Sequence, residues 1–271
     1  MIRALFLLLV SFVVSHCLFA QAQNPAHKIL YLMEFREDST SNNTKEELTE
    51  LLISNETSLF RSCYLAQRDT MRYHPDAGLT EPTFPISGNY HRIVKNSQAQ
   101  SIAYYQQLNV VNGELYRYTE SMEDLNWELL PDTMSIGSLK CQKAKINYGN
   151  RKWEAWFCPD IAISDGPYKF CNLPGLIVQV ADTTDSWSFS LVGIHEIPPF
   201  DFDLRYLNQS VEMDKLDFYK HRKEFMANAV DRMLAAGVIS FPDPATEVKM
   251  RKKSEEGIKQ RNNPIELYPQ P

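Results

Sequence analysis

The chain has 271 residues, 44% of them hydrophobic, with 28 basic against 34 acidic side chains and a formal net charge of −6. That balance disfavours nucleic acid and anionic membrane surfaces as partners. Beyond residue 22 no stretch approaches the ~18 consecutive apolar residues of a membrane span, so no transmembrane segment is expected in the mature chain.

Met1 to Ala22 reads as a cleavable signal peptide. One positive charge at Arg3 precedes an apolar run from Ala4 to Val14 that is too short to span a bilayer, and Ala20-Gln21-Ala22 sets small residues where a signal peptidase cuts. Cleavage is expected after Ala22, with the working protein starting near Gln23 as an exported molecule, periplasmic, outer-membrane-associated or secreted. A lipoprotein signal fits less well, because bulky His16 precedes Cys17 where a small residue is needed. The mature cysteines are then Cys63, Cys141, Cys158 and Cys171. In an oxidising compartment four cysteines imply two disulfides, with three connectivities open. No short C-x2-C pair points to zinc, and no metal or cofactor is expected.

His27 to Phe35 is rich in strand formers and ends at the polar run Asp38 to Asn43. The run from Glu47 to Ser62 reads as two strands joined at Ser54-Asn55-Glu56, and Cys63 to Tyr73 as a short helix before the Pro-rich stretch His74 to Pro85. From Tyr90 to Ile194 short β-like runs alternate with turn residues. The clearest unit is a hairpin in which Ala144, Ile146 and Tyr148 alternate with polar neighbours, Gly149-Asn150 turns the chain, and Trp153, Ala155 and Phe157 resume the alternation. That period sends Trp156 to the face opposite Trp153. A second hairpin joins Leu176–Val180 to Trp187–Leu191 through a polar loop at 182–185. Loops this short require antiparallel pairing. Val211 to Ala236 places Phe218, Phe225, Ala229, Val230, Met233 and Leu234 on one side of an amphipathic helix that Gly237 ends. The expected organisation is one β-rich domain over 23–246, helix 211–236 included, followed by a polar basic tail over 247–271.

Sequence motifs with known catalytic mechanics are missing: there is no H-E-x-x-H, G-x-S-x-G, G-x-x-x-x-G-K-[ST] or G-x-G-x-x-G. No catalytic residue is assigned. The histidines at 27, 74, 91, 195 and 221 never fall at metal-ligand spacing on one element. His74, in the loop Tyr73-His74-Pro75-Asp76, and Trp156 are the candidate binding residues.

The segment from Asp165 to Ile177, with Asp165-Gly166-Pro167 and Leu173-Pro174-Gly175-Leu176-Ile177, resembles the signature of the GLPGLI family, exported proteins of Gram-negative bacteria with no established activity. The resemblance extends through Cys141–Ala144, Arg151–Phe157 and Trp187–Ile194 to Asn262–Leu267. In this chain Asn172 replaces the first glycine of the motif and Cys171 stands beside it. Asn tolerates a left-handed backbone. Asp165-Gly166-Pro167 suits a tight turn and Pro174-Gly175 the centre of a type II turn. From the resemblance and these departures, a Cys158–Cys171 bridge is expected, leaving Cys63 to pair with Cys141.

The fold class expected is mainly β (α+β), a curved antiparallel sheet or open half-barrel carrying one long C-terminal amphipathic helix. The function expected is that of a non-enzymatic binding or accessory module of the envelope, its partner an envelope protein or a small apolar ligand. A carrier of a lipid or other apolar ligand is the second class, and requires a continuous apolar cavity. An enzyme is the third, and requires buried convergent polar groups with perturbed pKa values in a cleft.

Overall fold

The computed structural model describes residues 25–73, 90–108 and 114–267. The signal-peptide region, with Cys17, and His74 lie outside the described residues. The described chain is mainly β, with twelve strands in one open sheet.

The strands are β1 (Ala26–Phe35), β2 (Lys45–Ser54), β3 (Thr57–Ser62), β4 (His91–Asn96), β5 (Ser101–Gln107), β6 (Leu115–Ser121), β7 (Glu128–Ile136), β8 (Leu139–Tyr148), β9 (Arg151–Cys158), β10 (Leu176–Asp182), β11 (Trp187–Ile197) and β12 (Val211–Glu212). Their spatial order is β12-β6-β5-β4-β3-β2-β1-β11-β10-β9-β8-β7. All pairs are antiparallel except β12 with β6. Turn chemistry written in the sequence makes the hairpins. Gly149 and Asn150 both hold positive φ, +59° and +58°, which matches the twist of the β8–β9 strands they join. Asn55, at φ +53°, turns β2 into β3.

The sheet is strongly curled. At ~4.8 Å per strand, β6 and β8 would stand roughly 40 Å apart on a flat sheet, yet Tyr148 on β8 donates to both carboxylate oxygens of Glu120 on β6, at 3.1 and 3.0 Å. Residues alternating along the strands fill the concave side: Ile29, Tyr31 and Met33 from β1, Tyr104 from β5, Tyr118 from β6, Trp153 and Phe157 from β9. The convex side carries α1 (Cys63–Tyr73), tied down by Asp69, which pairs with Arg61 of β3 and Arg92 of β4.

Two expectations are corrected here. The segment 211–236 is not one long helix: it opens as strand β12, continues as α2 (Lys215–Ala227), breaks at Asn228 and resumes as α3 (Ala229–Ala235). Its apolar positions do not form one stripe, because Phe218 and Tyr219 of α2 and Val230 of α3 are buried while Leu216 is exposed. The segment read as a polar tail contains α4 (Pro244–Lys259), capped by Asp243, whose side chain accepts from Thr246 N at 2.9 Å. Beyond it the chain returns to the protein, burying Asn263 and Glu266.

The expected disulfides are also corrected. All four cysteines are buried and unbridged. Strand alternation turns Cys158 to the side opposite Phe157, whereas Cys171 lies in the concave interior near Lys95 and Asp165. Cys63 follows the end of β3 and Cys141 lies on β8, six places away in the sheet order. The cross-strand neighbour of Cys158 is instead Cys141, one step beyond the Gln142–Phe157 pair.

Candidate binding cleft

The loop between β9 and β10, residues 159–175, folds into the concave side of the sheet as an internal plug. Asp165 pairs with the buried Lys95 of β4, and Lys95 Nζ also donates to Gly166 O at 2.7 Å. Ile177 N donates to Asp165 O at 3.0 Å, Ser164 Oγ to Leu173 O at 2.8 Å and Trp127 Nε1 to Cys171 O at 2.8 Å. Asn172 takes the left-handed conformation, φ +69°, and its side chain donates to Met122 O at 2.8 Å. Pro174-Gly175 departs from the expected type II turn. Gly175 N bonds Leu173 O at 2.8 Å in a tighter turn, at φ +148°. Only glycine fits, since an added Cβ would stand 2.2 Å from Cys158 O.

The tip of the plug, Tyr168-Lys169-Phe170, is fully buried. Phe170 packs on Trp153 with centroids 4.8 Å apart. Lys169 Nζ donates to Tyr118 Oη at 2.8 Å and to Glu266 Oε1 at 2.6 Å, and pairs with Glu120. Lys215, at the start of α2, closes the ring by reaching Glu120 Oε1 at 2.5 Å and Glu266 Oε2 at 2.7 Å. Two lysines and two carboxylates thus neutralise one another inside a wall of tyrosines, with Lys169 Nζ 4.7 Å from the Tyr118 ring centroid and 5.1 Å from that of Tyr104. Burial works against charge on Glu266, but Lys169 and Lys215 overcome it and hold the carboxyl at about 2. Burial works against Lys169 too, and Glu266, Tyr148 and Glu120 raise it well above its ordinary value.

Glu266 arrives on the C-terminal arm, residues 261–267, which is threaded across three turns. Asn263 N donates to Glu37 O at 3.0 Å and Asn263 Nδ2 to Arg36 O at 2.8 Å. Its Oδ1 accepts from Arg151, and its carbonyl accepts from Trp187 Nε1 at 3.0 Å. Leu267 N donates to Gly149 O at 2.8 Å.

Above this floor, at the sheet end formed by the close of β1 and β5 and the start of β2 and β4, opens a cleft of about 760 Å3. Its walls include Phe35, Tyr104, Tyr168, Trp187, Tyr219 and Phe225, with Arg222 of α2, Arg261 of the arm and Glu46 and Glu47 of β2 also in the lining. His91 forms part of the floor, stacked on Tyr104 at 5.5 Å. Burial first, then the charges of Arg222, Lys169 and Arg92, lowers His91 to about 3, so it is a neutral imidazole. Burial pushes Tyr104 up to about 12. Among the described residues no three His, Cys, Asp or Glu side chains converge to hold a metal ion, and no helix is long and apolar enough to cross a membrane.

Of the two candidate binding residues from the sequence, His74 lies outside the described residues. Trp156 lies outside the cleft, half-buried, with Lys143 Nζ 5.7 Å over its ring. The motif residues Asp165, Gly166, Pro167, Leu173, Pro174, Gly175, Leu176 and Ile177 build and anchor the plug. Sequence reasoning passed over Lys169, Glu120, Lys215, Glu266 and Arg222. The one local signal was the lysine inside an aromatic triplet, Tyr168-Lys169-Phe170, in a loop otherwise made of turn residues.

Residues 145–179 match a family model described as a protein of unknown function, Porph_ging. The match runs from β8 through the plug into β10. No curated protein matches the chain. Two solved structures of PNGF-II, in space groups P21 and C2, are similar at 14% identity with TM-scores of 0.55 and 0.54, each covering 75% of this chain and 34% of that one. A DUF1329 family protein from Desulfovibrio piger is matched at 9% identity over 69% of this chain and 90% of that one, with a TM-score of 0.30. The chain therefore spans about a third of PNGF-II, and the likeness to it is one of fold.

Proposed function

We propose that the protein is an exported, non-enzymatic binding or accessory module of the cell envelope, a relative of the GLPGLI proteins, whose ligand or partner group seats in the cleft above the plug. The observation that carries this is the pairing of an open aromatic and polar cleft of about 760 Å3 with a floor locked by the Lys169–Glu266–Lys215–Glu120 ring. A fixed floor under an open cleft is the arrangement of a preorganised receptor. The plug fills the concave side where a lipid carrier needs a continuous apolar cavity, so the carrier reading has less support. The buried polar groups that an enzyme requires are present, but their shifts run the other way from catalysis. Glu266 is held low, Lys169 high and His91 neutral, so none exchanges a proton near neutral pH.

Native mass spectrometry of the protein from its own envelope, beside a denatured aliquot and the cleft-filling variant Met226→Trp, tests the proposal. A bound mass or partner on the wild type that is lost in the variant is expected. A bare chain, or a mass retained equally by the variant, would count against the cleft, and a lipid mass would favour the carrier.

A further inference from the structure

We infer that the inner end of the cleft receives an anionic group, with Arg222 as its charge partner and the ligand's planar or apolar body lying on Tyr104, Tyr219 and Phe225. The inference rests on the cleft being the binding site. The buried carboxylates below it are accounted for: Glu266 and Glu120 are each shared by Lys169 and Lys215, and Glu37 at the rim pairs with Lys45 at 2.7 Å. Arg222 differs. It is half-buried in the cleft wall and makes no ion pair among the described residues. It stands one turn after Phe218 on α2, and Phe218 packs on Tyr104 with ring centroids 5.6 Å apart, which sets Arg222 at the inner wall; its charge is felt at both His91 and Tyr104. Of the floor groups that feel its charge, His91 is neutral and Tyr104 keeps its proton, while Glu46 and Glu47 line the cleft from β2. A partly desolvated guanidinium held beside neutral donors and aromatic faces is complementary to a carboxylate, sulfonate or phosphate on an apolar or planar body.

Two fluorescent probes of the same shape separate this from the parent proposal: anilinonaphthalene sulfonate and uncharged N-phenylnaphthylamine, titrated into the full chain at low and high salt. The anion should bind saturably and roughly tenfold more tightly, as a charged hydrogen bond of ~1.5 kcal/mol implies, and its advantage should shrink with salt. Arg222→Gln should abolish the preference with an unchanged near-UV circular dichroism spectrum, and Arg222→Lys should keep part of it. Equal affinity for both probes, or a preference that survives Arg222→Gln, overturns the anion site while leaving the cleft as a receptor. Failure of both probes to bind overturns the cleft itself.

Discussion

Lys169 is the residue on which the interior depends. Replacing it with Met keeps much of the volume but strands Glu266 and Glu120 without one of their cations in a dry site. Breaking a buried pair from one side costs about 3–5 kcal/mol, to be read from urea unfolding midpoints, and adding Glu266→Gln to Lys169→Met should recover part of that loss. The same groups set the acid limit of the fold. His91 has a folded value of about 3 against ~6.5 unfolded, so between these values the unfolded chain binds the extra proton and stability falls as pH drops. Glu266, depressed to about 2, contributes stability that is complete above the ordinary carboxyl range and is lost as pH falls through about 2. Unfolding free energy should therefore decline from about pH 6.5 downward, and His91→Gln should flatten the upper part of that decline. A wild-type curve level between pH 6.5 and 4 would contradict the buried neutral imidazole.

Among the elements, the plug depends on its return into β10. Gly175→Ala sets a Cβ against the Cys158 carbonyl, 2.2 Å away, at a backbone conformation that favours glycine. Backbone must move to admit it, at roughly 3 kcal/mol or more, seen as a lowered denaturation midpoint. The β8–β9 hairpin bears on the cysteines. It sets Cys141 beside Cys158, and Cys63, Cys141, Cys158 and Cys171 are all buried and unbridged. A chain beginning at Gln23 should show no fast reaction with Ellman's reagent when native and four thiols once unfolded. Two or none after unfolding would reveal bridging.

At the scale of the whole molecule, the C-terminal arm joins what the sheet leaves open. It ties the β1, β8–β9 and β10–β11 ends together and delivers Glu266 to the plug. Ending the chain at Gln260 leaves Lys169 and Lys215 short of a carboxylate and exposes the floor of the cleft. A loss of about 3–5 kcal/mol lowers Tm by roughly 10 °C in a domain of this size, with cleft ligands bound more weakly as well. An unchanged Tm would mean that the arm is only laid on the surface.

Strands β1, β2, β3, β8, β9, β10 and β11, helix α1 and the Gly149-Asn150 and Asn55 turns were legible in the amino-acid order. Alternation with period two and turn-forming residues act within a few positions of one another. The break at Asn228 and strand β12 were not legible, because a spread of apolar residues over 211–236 does not reveal which of them find a surface to cover. The candidate site was least visible of all. Lys169 and Glu266 stand 97 positions apart and Lys169 and Glu120 49, and in sequence each is indistinguishable from a solvated surface charge. Only the curl of the sheet, which brings β6 to β8 around the plug, turns four such charges into a buried, mutually neutral ring and leaves Arg222 above it unpaired.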